Sequence, residues 1–416
     1  MNTEHLKERA AAISFRQLRL FESVGRLSSV RRGSDECNLS QPAVTQALGK
    51  LEAQLGEQLL ERRTSGSYLT PVGRVFHLRV QRCFSQMESA VMELGACSGA
   101  HAAAAIVNRI SRPQVRCFLA IIDHGTFPKA AKALGLTQTS LQRAARDLEA
   151  HLRTTIYFRS AAGVMVSPEG AEFGRKLRLA TQEIEWGIRE IAMAHGAESS
   201  RIVIGALPFG GTVLLADVLD GFLQAHPSAD VRIVTEGAAE MLKRLRSGDV
   251  DLTVGIVQET TGDDLRNERL AVTPYRVVCR PNHPLARKAN ITLENLAGYD
   301  WVVGAEGSSR RACFDALFSG RAKPKAPIAT SSLPIIRHLL ADKDRLTMMT
   351  TYELVHDSGG LVPLPFGPIK PSPSIGVTMR AGWLPTALHN DFLALLRLRV
   401  AQSASDATRS AGSRAA

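Results

Sequence analysis

The sequence lacks three features, and each absence argues against a class of protein. It has no run of 18 apolar residues, so a membrane-spanning helix is not expected. Its six cysteines form no CxxC pair, which argues against a zinc site and a disulfide framework, although redox sensing by two of them stays open. The first 15 residues include acidic side chains and no apolar stretch of signal-peptide length, so we expect a cytoplasmic protein.

Catalytic patterns are also missing from the sequence. No GxSxG, HExxH or phosphate-binding glycine loop is found, and the 11 histidines show no metal-ligand spacing. We therefore expect neither an enzyme nor a resident metal or cofactor. The 416 residues are too many for one compact core and predict two to four domains.

Positive charge is concentrated toward the beginning of the chain. The formal net charge is +11, and the first 200 residues hold 26 basic against 19 acidic side chains. Neutralising phosphates releases counterions and supplies most sequence-independent affinity for DNA. The charge balance therefore fits a polyanionic partner without identifying one.

The N-terminal half contains an internal repeat. At an offset of 97 residues, positions 14–73 align with 111–170 without a gap and share 15 identical residues in 60. Unrelated sequences of ordinary composition share roughly one residue in sixteen. Duplication of one small domain explains the match.

Each repeat reads as short helices followed by a hairpin. In the second repeat, Thr137 is placed to cap a helix whose apolar residues Leu141, Ala145, Leu148 and Leu152 recur at helical spacing. The first repeat has Ser40 as the cap and an equivalent stripe. Two helices joined by a tight turn predict a helix-turn-helix whose second helix enters the major groove of DNA.

The outward side chains of that second helix carry amide, hydroxyl and positively charged groups. Such groups suit contacts with the edges of nucleobases and with phosphates. The candidate DNA-binding residues are Ser40, Gln41, Thr45, Gln46 and Lys50 in the first repeat and Thr137, Gln138, Gln142, Arg143 and Arg146 in the second. The structural alternative for each helix is an amphipathic helix with an ordinary solvated face.

A hairpin and a long helix are predicted after each of these helices. In the first hairpin, Arg62 and Arg63 are candidates for phosphate or minor-groove contacts. The long helix from about Glu169 to Ala194 carries an apolar stripe that requires a partner. We favour a dimer seam between two chains, with packing inside one chain as the alternative.

The runs LSQPAVTQALGKLEAQLGEQLLER (39–62) and LTPVG (69–73) closely resemble the DNA-binding domain of the LysR family of bacterial transcriptional regulators. HGTFPKAAKALGLTQTSLQRAARDLEAHL (124–152) resembles the same domain. With the effector region, the resemblance covers nearly the whole chain. The family ordinarily has one such domain, so the second copy is a departure.

Each copy differs from the family pattern in a different place. In the first, Arg32 and Gly33 stand where the family usually has an alanine pair, which puts the packing of that helix in doubt. In the second, Gln138, Thr139 and Ser140 replace the family's Gln-Pro-Ala, and Arg153 replaces a glycine. We favour the first copy as the principal DNA reader and the second as an auxiliary DNA binder or dimer scaffold.

From Arg201 the pattern alternates strands and helices, which predicts a parallel sheet with helices on both faces. Residues 222–256 and several later segments resemble the family's periplasmic-binding-protein-like effector domain of type 2. In that fold, ligands bind between two subdomains, where helix N-termini accept anions. The candidate effector-binding residues are Thr212, Gln258, Ser308, Ser309, Arg310, Ser331 and Ser332, for which plain helix caps or surface charges are the alternative.

The predicted protein is therefore an α/β multidomain regulator with two tandem winged helix-turn-helix domains, long linker helices and an effector domain of two subdomains. The predicted segments are a first winged domain at 12–73, a linker helix and connector at 74–109, a second winged domain at 110–170, a linker or dimerisation helix at 171–198, an effector domain at 199–400 and a disordered tail at 401–416. Within the effector domain we expect one subdomain at about 201–270 and 372–400, and the other at about 271–371.

The expected partners are double-stranded DNA, a small-molecule effector such as an organic acid or sugar acid, and further copies of the chain in a homodimer or homotetramer. RNA polymerase is a candidate partner, and no membrane contact is expected. The rival interpretations are a corepressor that senses a metabolite without specific DNA binding and, more remotely, a solute-binding protein of a transporter. The sequence does not identify the promoter, the effector or the direction of regulation.

Overall fold

The protein is described here from a computed structural model, which covers residues 12–160, 163–194, 201–207, 210–257, 262–355 and 360–413. The chain forms two compact units, Met1–Ser200 and Arg201–Ala416, and each is described by itself. Within the described residues, no helix is both long and apolar enough to cross a membrane.

The first unit contains two copies of the same succession of elements. The first copy consists of α1 (Phe15–Leu27), α2 (Val30–Glu36), α3 (Gln41–Leu55), β1 (Leu60–Arg63), β2 (Gly66–Leu69) and α4 (Pro71–Glu93). The connecting helix is α5 (Ala100–Val107). The second copy consists of α6 (Arg112–His124), α7 (Phe127–Leu134), α8 (Gln138–Leu152), β3 (Tyr157–Ser160), β4 (Gly163–Val166) and α9 (Pro168–Ala194). In both copies the two strands form an antiparallel hairpin.

Identical residues of the two repeats perform the same structural task. The Glu52 carboxylate accepts hydrogen bonds from the backbone N–H groups of Leu59 and Leu60, at 2.8 and 3.0 Å. Glu149 accepts the equivalent bonds from Ile156 and Tyr157, at 2.8 and 3.2 Å. Each glutamate thus satisfies two backbone donors at the start of its hairpin and fixes that hairpin to the preceding helix.

Both repeats have a glycine, Gly73 or Gly170, in the first turn of the long helix. Only glycine fits there, because the helix begins in close contact with the backbone that precedes or starts the hairpin. A Cβ atom on Gly73 would collide with the carbonyl oxygen of Leu59, and one on Gly170 would lie 2.7 Å from that of Ile156. Helix caps precede both glycines: Thr70 accepts a hydrogen bond from the N–H of Gly73, and Ser167 accepts one from that of Gly170.

The helix before the first turn forms despite its departure from the family pattern. Gly33 and Ser34 are buried in α2 and occupy the positions that Ala130 and Ala131 hold in α7. A Cβ on Gly33 would lie 2.6 Å from Val24, so the close crossing of α1 needs a very small residue there. Arg32 is exposed and does not enter this packing.

The long helix α9 packs against α4 of the same chain. The prediction that the apolar stripe of α9 forms an interface between two chains is therefore wrong. The buried residues of α9, among them Phe173, Leu177, Ile184 and Ile188, join one apolar cluster with residues of the first repeat. Arg79 of α4, which is 1% exposed, forms ion pairs with Glu183 and Glu190 of α9, both at 2.8 Å. The alternative of packing within the monomer is correct here.

The second unit alternates strands and helices. Its strands are β5 (Arg201–Ala206), β6 (Asp230–Thr235), β7 (Leu252–Ile256), β8 (Leu265–Val272), β9 (Tyr275–Cys279), β10 (Asp300–Val303), β11 (Ile328–Ala329), β12 (Arg345–Thr350), β13 (Val362–Pro363) and β14 (Ser374–Arg380). Its α-helices are α10 (Gly210–Ala225), α11 (Ala238–Ser247), α12 (Leu293–Ala297), α13 (Ser309–Leu317), α14 (Leu333–Ala341), α15 (Thr351–Val355) and α16 (Ala387–Ser413).

These strands form two five-stranded sheets, in the orders β6-β5-β7-β14-β8 and β11-β10-β12-β9-β13. Both sheets are mixed, because β14 runs antiparallel to β7 and β8, and β9 runs antiparallel to β12 and β13. The prediction of a parallel sheet is therefore confirmed for β5, β6, β7, β10, β11 and β12 and wrong for the pairings of β14 and β9. The antiparallel strands are those on which the chain enters or leaves a sheet at the subdomain crossings, where no βαβ connection fixes the direction.

Two adjacent segments connect the subdomains. The N–H of Thr273 donates to the carbonyl of Pro373 at 2.8 Å, and the N–H of Ile369 donates to the carbonyl of Tyr275 at 2.9 Å. The chain therefore passes from one sheet to the other and back through a paired, two-stranded connection.

The end of the chain differs from the expected disordered tail. Helix α16 continues to Ser413, past the predicted boundary at residue 401. The small residues of this stretch include alanines, which favour helix, so the low complexity of the sequence did not prevent helix formation.

Candidate nucleic-acid interface and ligand cleft

The first candidate surface is the outward face of α3. Ser40 caps this helix by accepting a hydrogen bond from the N–H of Ala43, and Val44, Leu48, Leu51 and Leu55 are buried. The 3.6-residue period then turns the polar positions outward. Gln41, Gln46 and Lys50 are exposed, and Thr45 is half-buried.

The equivalent face of α8 carries different side chains. Thr137 caps this helix by accepting a hydrogen bond from the N–H of Ser140, at 3.2 Å. Gln138, Arg143 and Arg146 are exposed, and Gln142 is half-buried at the position of Thr45. The second face thus has two arginines, Arg143 and Arg146, where the first repeat has Gln46 and Gly49, but it has Asp147 in place of Lys50, so the two faces differ in side-chain type more than in net charge.

The two hairpins differ in their exposed chemistry. Arg62 and Arg63 are exposed on the first, where Arg63 forms an ion pair with Glu61 at 2.9 Å and lies over the ring of Tyr68. That ion pair lies in solvent, so it contributes little and leaves Arg63 available to a phosphate. The second hairpin exposes Arg159 together with the apolar side chains Phe158, Val164 and Met165.

In the second unit, a cavity of about 320 Å³ lies between the two subdomains. Two helices begin at this cavity, α11 after Gly237 and α13 after Ser308, and Ser331, two residues before α14, also lines it. Helix N-termini present backbone N–H groups and a partial positive charge. Two lining carboxylates, Glu240 and Glu306, oppose that potential.

Ser308 and Ser309 differ in what their hydroxyls do. Ser308 caps α13, accepting from the N–H of Arg311 at 3.2 Å and donating to the carbonyl of Ala305 at 2.6 Å. Ser309 lies 2.9 Å from the hydroxyl of Tyr275, and this pair also lines an adjoining cavity of about 750 Å³. Burial raises the pKa of Tyr275 to about 12, so its hydroxyl keeps its proton at neutral pH.

Arg310 does not present a free charge to the cleft. The side chain is buried, and its guanidinium donates to both carboxylate oxygens of Glu353, at 2.8 and 3.1 Å. Glu353 also accepts hydrogen bonds from the backbone N–H and the hydroxyl of Thr350, at 2.7 and 2.9 Å. Arg310, predicted to contact the effector or to be a surface charge, thus lies buried at the lining of the cavity as half of an internal ion pair that joins α13 to α15.

The remaining predicted effector residues are placed as follows. Ser331 lines the smaller cavity, whereas Ser332 is the residue before α14 and lines neither of the two cavities described. Thr212 lies in the first turns of α10. Gln258 lies outside the described residues.

Sequence reasoning missed Tyr275 and Gly237. Tyr275 is the first residue of β9, and its neighbours in the sequence give no polar pattern that would single it out. Gly237 precedes a helix without a side-chain cap, so only the uncapped start of α11 signals an available donor.

Burial makes four of the cysteines poor redox sensors. It raises the pKa of Cys83 and Cys279 to about 12 and that of Cys313 to about 11, and it also raises the pKa of Cys117. Because the thiolate is the reactive form, these thiols are disfavoured for redox chemistry at neutral pH.

Comparison with known families decides what this combination of units is. The model of the bacterial regulatory helix-turn-helix protein of the lysR family matches residues 15–74 and again 113–171. The LysR substrate-binding domain matches residues 195–401. The chain belongs to the LysR family of transcriptional regulators. This LysR regulator has a helix-turn-helix DNA-binding region and an effector-binding domain.

Among similar proteins, the HTH-type transcriptional regulator GalR of Pseudomonas putida is 27% identical over 395 residues, covering 93% of this chain and 98% of its own. The SDS degradation transcriptional activation protein of a Pseudomonas strain is 26% identical over 283 residues, covering 65% of this LysR regulator and 90% of its own length. The first alignment is long enough to include both repeats and the second unit of this chain. The second alignment is too short to include both repeats and the whole second unit.

Solved LysR structures resemble the fold at low identity. HinK, a LysR family transcriptional regulator from Pseudomonas aeruginosa, is 21% identical with a TM-score of 0.43, covering 69% of this chain and 97% of its own. Full-length OxyR from the same organism is 19% identical with a TM-score of 0.49, covering 69% and 93%.

Proposed function

We propose that both repeats of this LysR regulator are winged helix-turn-helix units that contact promoter DNA, α3 and α8 being the reading helices. The observation that carries this proposal is the pair of capped helices at equivalent positions, each with a buried apolar stripe and a solvent-facing row of amides, hydroxyls or bases. Glutamine pairs bidentately with adenine and arginine with guanine. The exposed Arg62 and Arg63 of the first hairpin contact phosphates or the minor groove.

A binding measurement tests the assignment of α3. Replacing Gln41, Thr45 and Gln46 by alanine removes three readers of base edges, each good pair contributing about 1–3 kcal/mol of discrimination. We expect the affinity for a specific promoter fragment to fall at least about tenfold, with binding to random duplex nearly unchanged. Gel-shift titration at physiological salt measures both.

The matched control is Gln224→Ala, which removes an exposed glutamine of the second unit and should leave specific binding intact. Specific affinity that is the same in the triple variant and the wild type would exclude α3 as a reader. If the wild-type protein prefers no genomic fragment, the corepressor interpretation replaces DNA reading.

We also propose that the effector is a small organic anion held in the cavity of about 320 Å³. The N-termini of α11 and α13 supply N–H donors and positive potential for a carboxylate, and Ser309 supplies a hydroxyl. Apolar residues such as Leu207 and Ile256 line the same cavity and favour an organic acid over a bare inorganic ion. Arg310 takes no direct part, because Glu353 already neutralises it.

Ligand-induced stabilisation tests the cavity. We expect some members of a panel of aliphatic, aromatic and sugar carboxylates to raise the melting temperature of the full chain, since a ligand that binds only the folded state stabilises it. Ser309→Asp places a competing negative charge in the cavity and should abolish that rise. Ser319→Asp, in the exposed turn that follows the other end of the same helix, should retain it. Equal shifts in the two variants would place the ligand elsewhere.

Effector binding then changes DNA binding by favouring one conformation or assembly of the regulator. This effect is measured as a change in the affinity for promoter DNA when a carboxylate that stabilises the protein is added. RNA polymerase contact and assembly into dimers or tetramers belong to this proposal as well.

A further inference from the structure

Helices α4 and α9 make the contacts of a symmetric dimer inside one chain. The offset of 97 relates Arg79 to Lys176 and Glu93 to Glu190. Arg79 pairs with Glu190 at 2.8 Å, and Lys176 pairs with Glu93. In a two-fold interface, each contact occurs twice, with the roles of the two partners exchanged between the copies. These two ion pairs are related in that way, so the two repeats face each other across an internal pseudo-two-fold axis.

The centre of this helix pair is also where equivalent positions meet. Gln86 and Glu183 occupy the same place in the two repeats, and the Gln86 amide donates to the Glu183 carboxylate at 3.1 Å. A residue that contacts its own equivalent lies at the axis of an isologous interface. The helices are therefore antiparallel and cross near these two residues.

Charges at the centre favour this pairing over the pairing of like helices. Glu183, 1% exposed, accepts hydrogen bonds from Arg79 at 2.8 Å and from Arg82 at 2.9 Å, both on α4. The equivalents of these arginines on α9 are Lys176 and Leu179. Two α9 helices would bring two buried Glu183 carboxylates together without Arg82, and two α4 helices would gather four arginines without the central carboxylate. The first arrangement buries uncompensated charge, whereas in the second Arg79 would keep Glu93 as a partner and Arg82 would lose the carboxylate that it pairs with at 2.8 Å.

The connector holds the second repeat close to the first. Ala103 and Val107 of α5 are buried, and the guanidinium of Arg19 donates to the carbonyls of Val107 and of Ile110. Arg112, at the start of the second repeat, donates to the carbonyl of Ile13 at 3.3 Å. A short, anchored connection raises the effective concentration of α9 around α4, which favours pairing within the chain over pairing with another chain.

We propose that a single chain is a complete two-headed DNA reader, with α3 and α8 contacting two different half-sites of one operator. This inference rests on the proposed function, namely that both repeats bind DNA. Ordinary dimers present the same helix to both half-sites, and their operators mirror that symmetry. In this chain the first repeat has Thr45 and Gln46 where the second has Gln142 and Arg143. The two helices therefore recognise different bases, and the two half-sites differ in sequence. The second half-site is expected to be richer in guanine, which arginine prefers.

Chemical cross-linking tests the pairing without reference to DNA. Glu93→Cys and Lys176→Cys are introduced together into the full chain, with Cys37→Ser and Cys97→Ser removing the two natural thiols that are not buried. A short bis-maleimide should give a cross-linked product of single-chain mass at every protein concentration. Glu93→Cys alone, in the same background, should give none. Products of two-chain mass would overturn the pairing within one chain.

Footprinting separates the two-headed reading from the proposed function. On a bound genomic fragment, the wild-type chain should protect two half-sites of different sequence. The alanine variant of Gln41, Thr45 and Gln46 should lower occupancy of one half-site at least about tenfold, and the alanine variant of Gln138, Gln142 and Arg143 that of the other. If the first variant loses both half-sites and the second loses neither, the first repeats of two chains read DNA and the inference is wrong. If the wild type binds no fragment, the proposed function itself fails.

Discussion

At the residue scale, the equivalent helices α3 and α8 end in the same backbone conformation with different residues. Gly56 has φ of 68° after α3, and Arg153 has φ of 54° after α8. Glycine adopts this left-handed conformation without a steric penalty, whereas a side chain costs about 1 kcal/mol or more. The family's glycine was replaced without changing the path of the chain, because the fold of the second repeat outweighs the strain.

Restoring the glycine should therefore stabilise the protein. We expect Arg153→Gly to raise the free energy of unfolding by about 1 kcal/mol, measured as a shift of the urea midpoint of the first unit's transition. Arg153→Ala removes the charge and keeps the Cβ atom, so it should give little gain. A gain of the same size from alanine would show that charge, and not backbone strain, is the cause.

The departures from the family pattern are also explained residue by residue. The sequence placed Arg32 and Gly33 in doubt because an alanine pair was expected there. The alignment with the second repeat shows that Gly33 and Ser34 are the equivalent pair and that Arg32 faces solvent. The internal alignment could have indicated this pairing, but only the fold shows that Gly33 and Ser34 are the buried pair.

At the element scale, glycines inside helices have opposite roles that depend on what the helix touches. Gly187 in α9 lies against α4, and a Cβ there would come within 2.7 Å of the Phe76 ring and 3.2 Å of Arg79. Gly49 lies on the exposed side of α3, with no atom within 4 Å of an added Cβ. The same substitution should therefore change stability in opposite directions.

We expect Gly187→Ala to lower the free energy of unfolding by about 1–3 kcal/mol, because overpacking separates α4 from α9. Gly49→Ala should raise it by up to about 1 kcal/mol, since alanine has the higher helix propensity. Denaturant titration of the two variants against the wild type measures both effects. An increase in both would mean that helix propensity outweighs packing at the α4–α9 interface.

The helices that the sequence predicted best are those whose caps and stripes are local. Ser40 and Thr137 cap α3 and α8, and the stripes from Val44 to Leu55 and from Leu141 to Leu152 are buried. The direction of β14 and the partner of α9 were predicted wrongly. Each depends on a contact between segments far apart in the sequence, and periodicity carries no information about such contacts.

At the scale of the whole molecule, the net charge of +11 predicts DNA binding that weakens steeply with salt. The exposed arginines of the first hairpin should supply part of that dependence. Phosphate contacts change the slope of the logarithm of affinity against the logarithm of salt concentration, whereas base contacts change sequence preference.

We expect Arg62→Gln to reduce that slope by about 0.9, the contribution of one phosphate contact, and to weaken specific and random DNA alike. Arg232→Gln makes the same change of net charge in the second unit and should leave the slope unaltered. Affinity measured between low and physiological salt tests both variants. An equal decrease for Arg232→Gln would indicate that net charge, and not a contact of Arg62, sets the slope.

The sequence by itself determined the duplication, the caps and apolar faces of α3 and α8, the family and the presence of an effector domain. These features follow from neighbouring residues, whose spacing fixes which side of a helix is buried. Only the tertiary structure decided that α9 pairs with α4, that Glu183 lies between Arg79 and Arg82, and that Arg310 is neutralised by Glu353. Each of these depends on charges and surfaces that come together only when distant segments pack, because a buried charge takes its partner from whatever the fold places beside it.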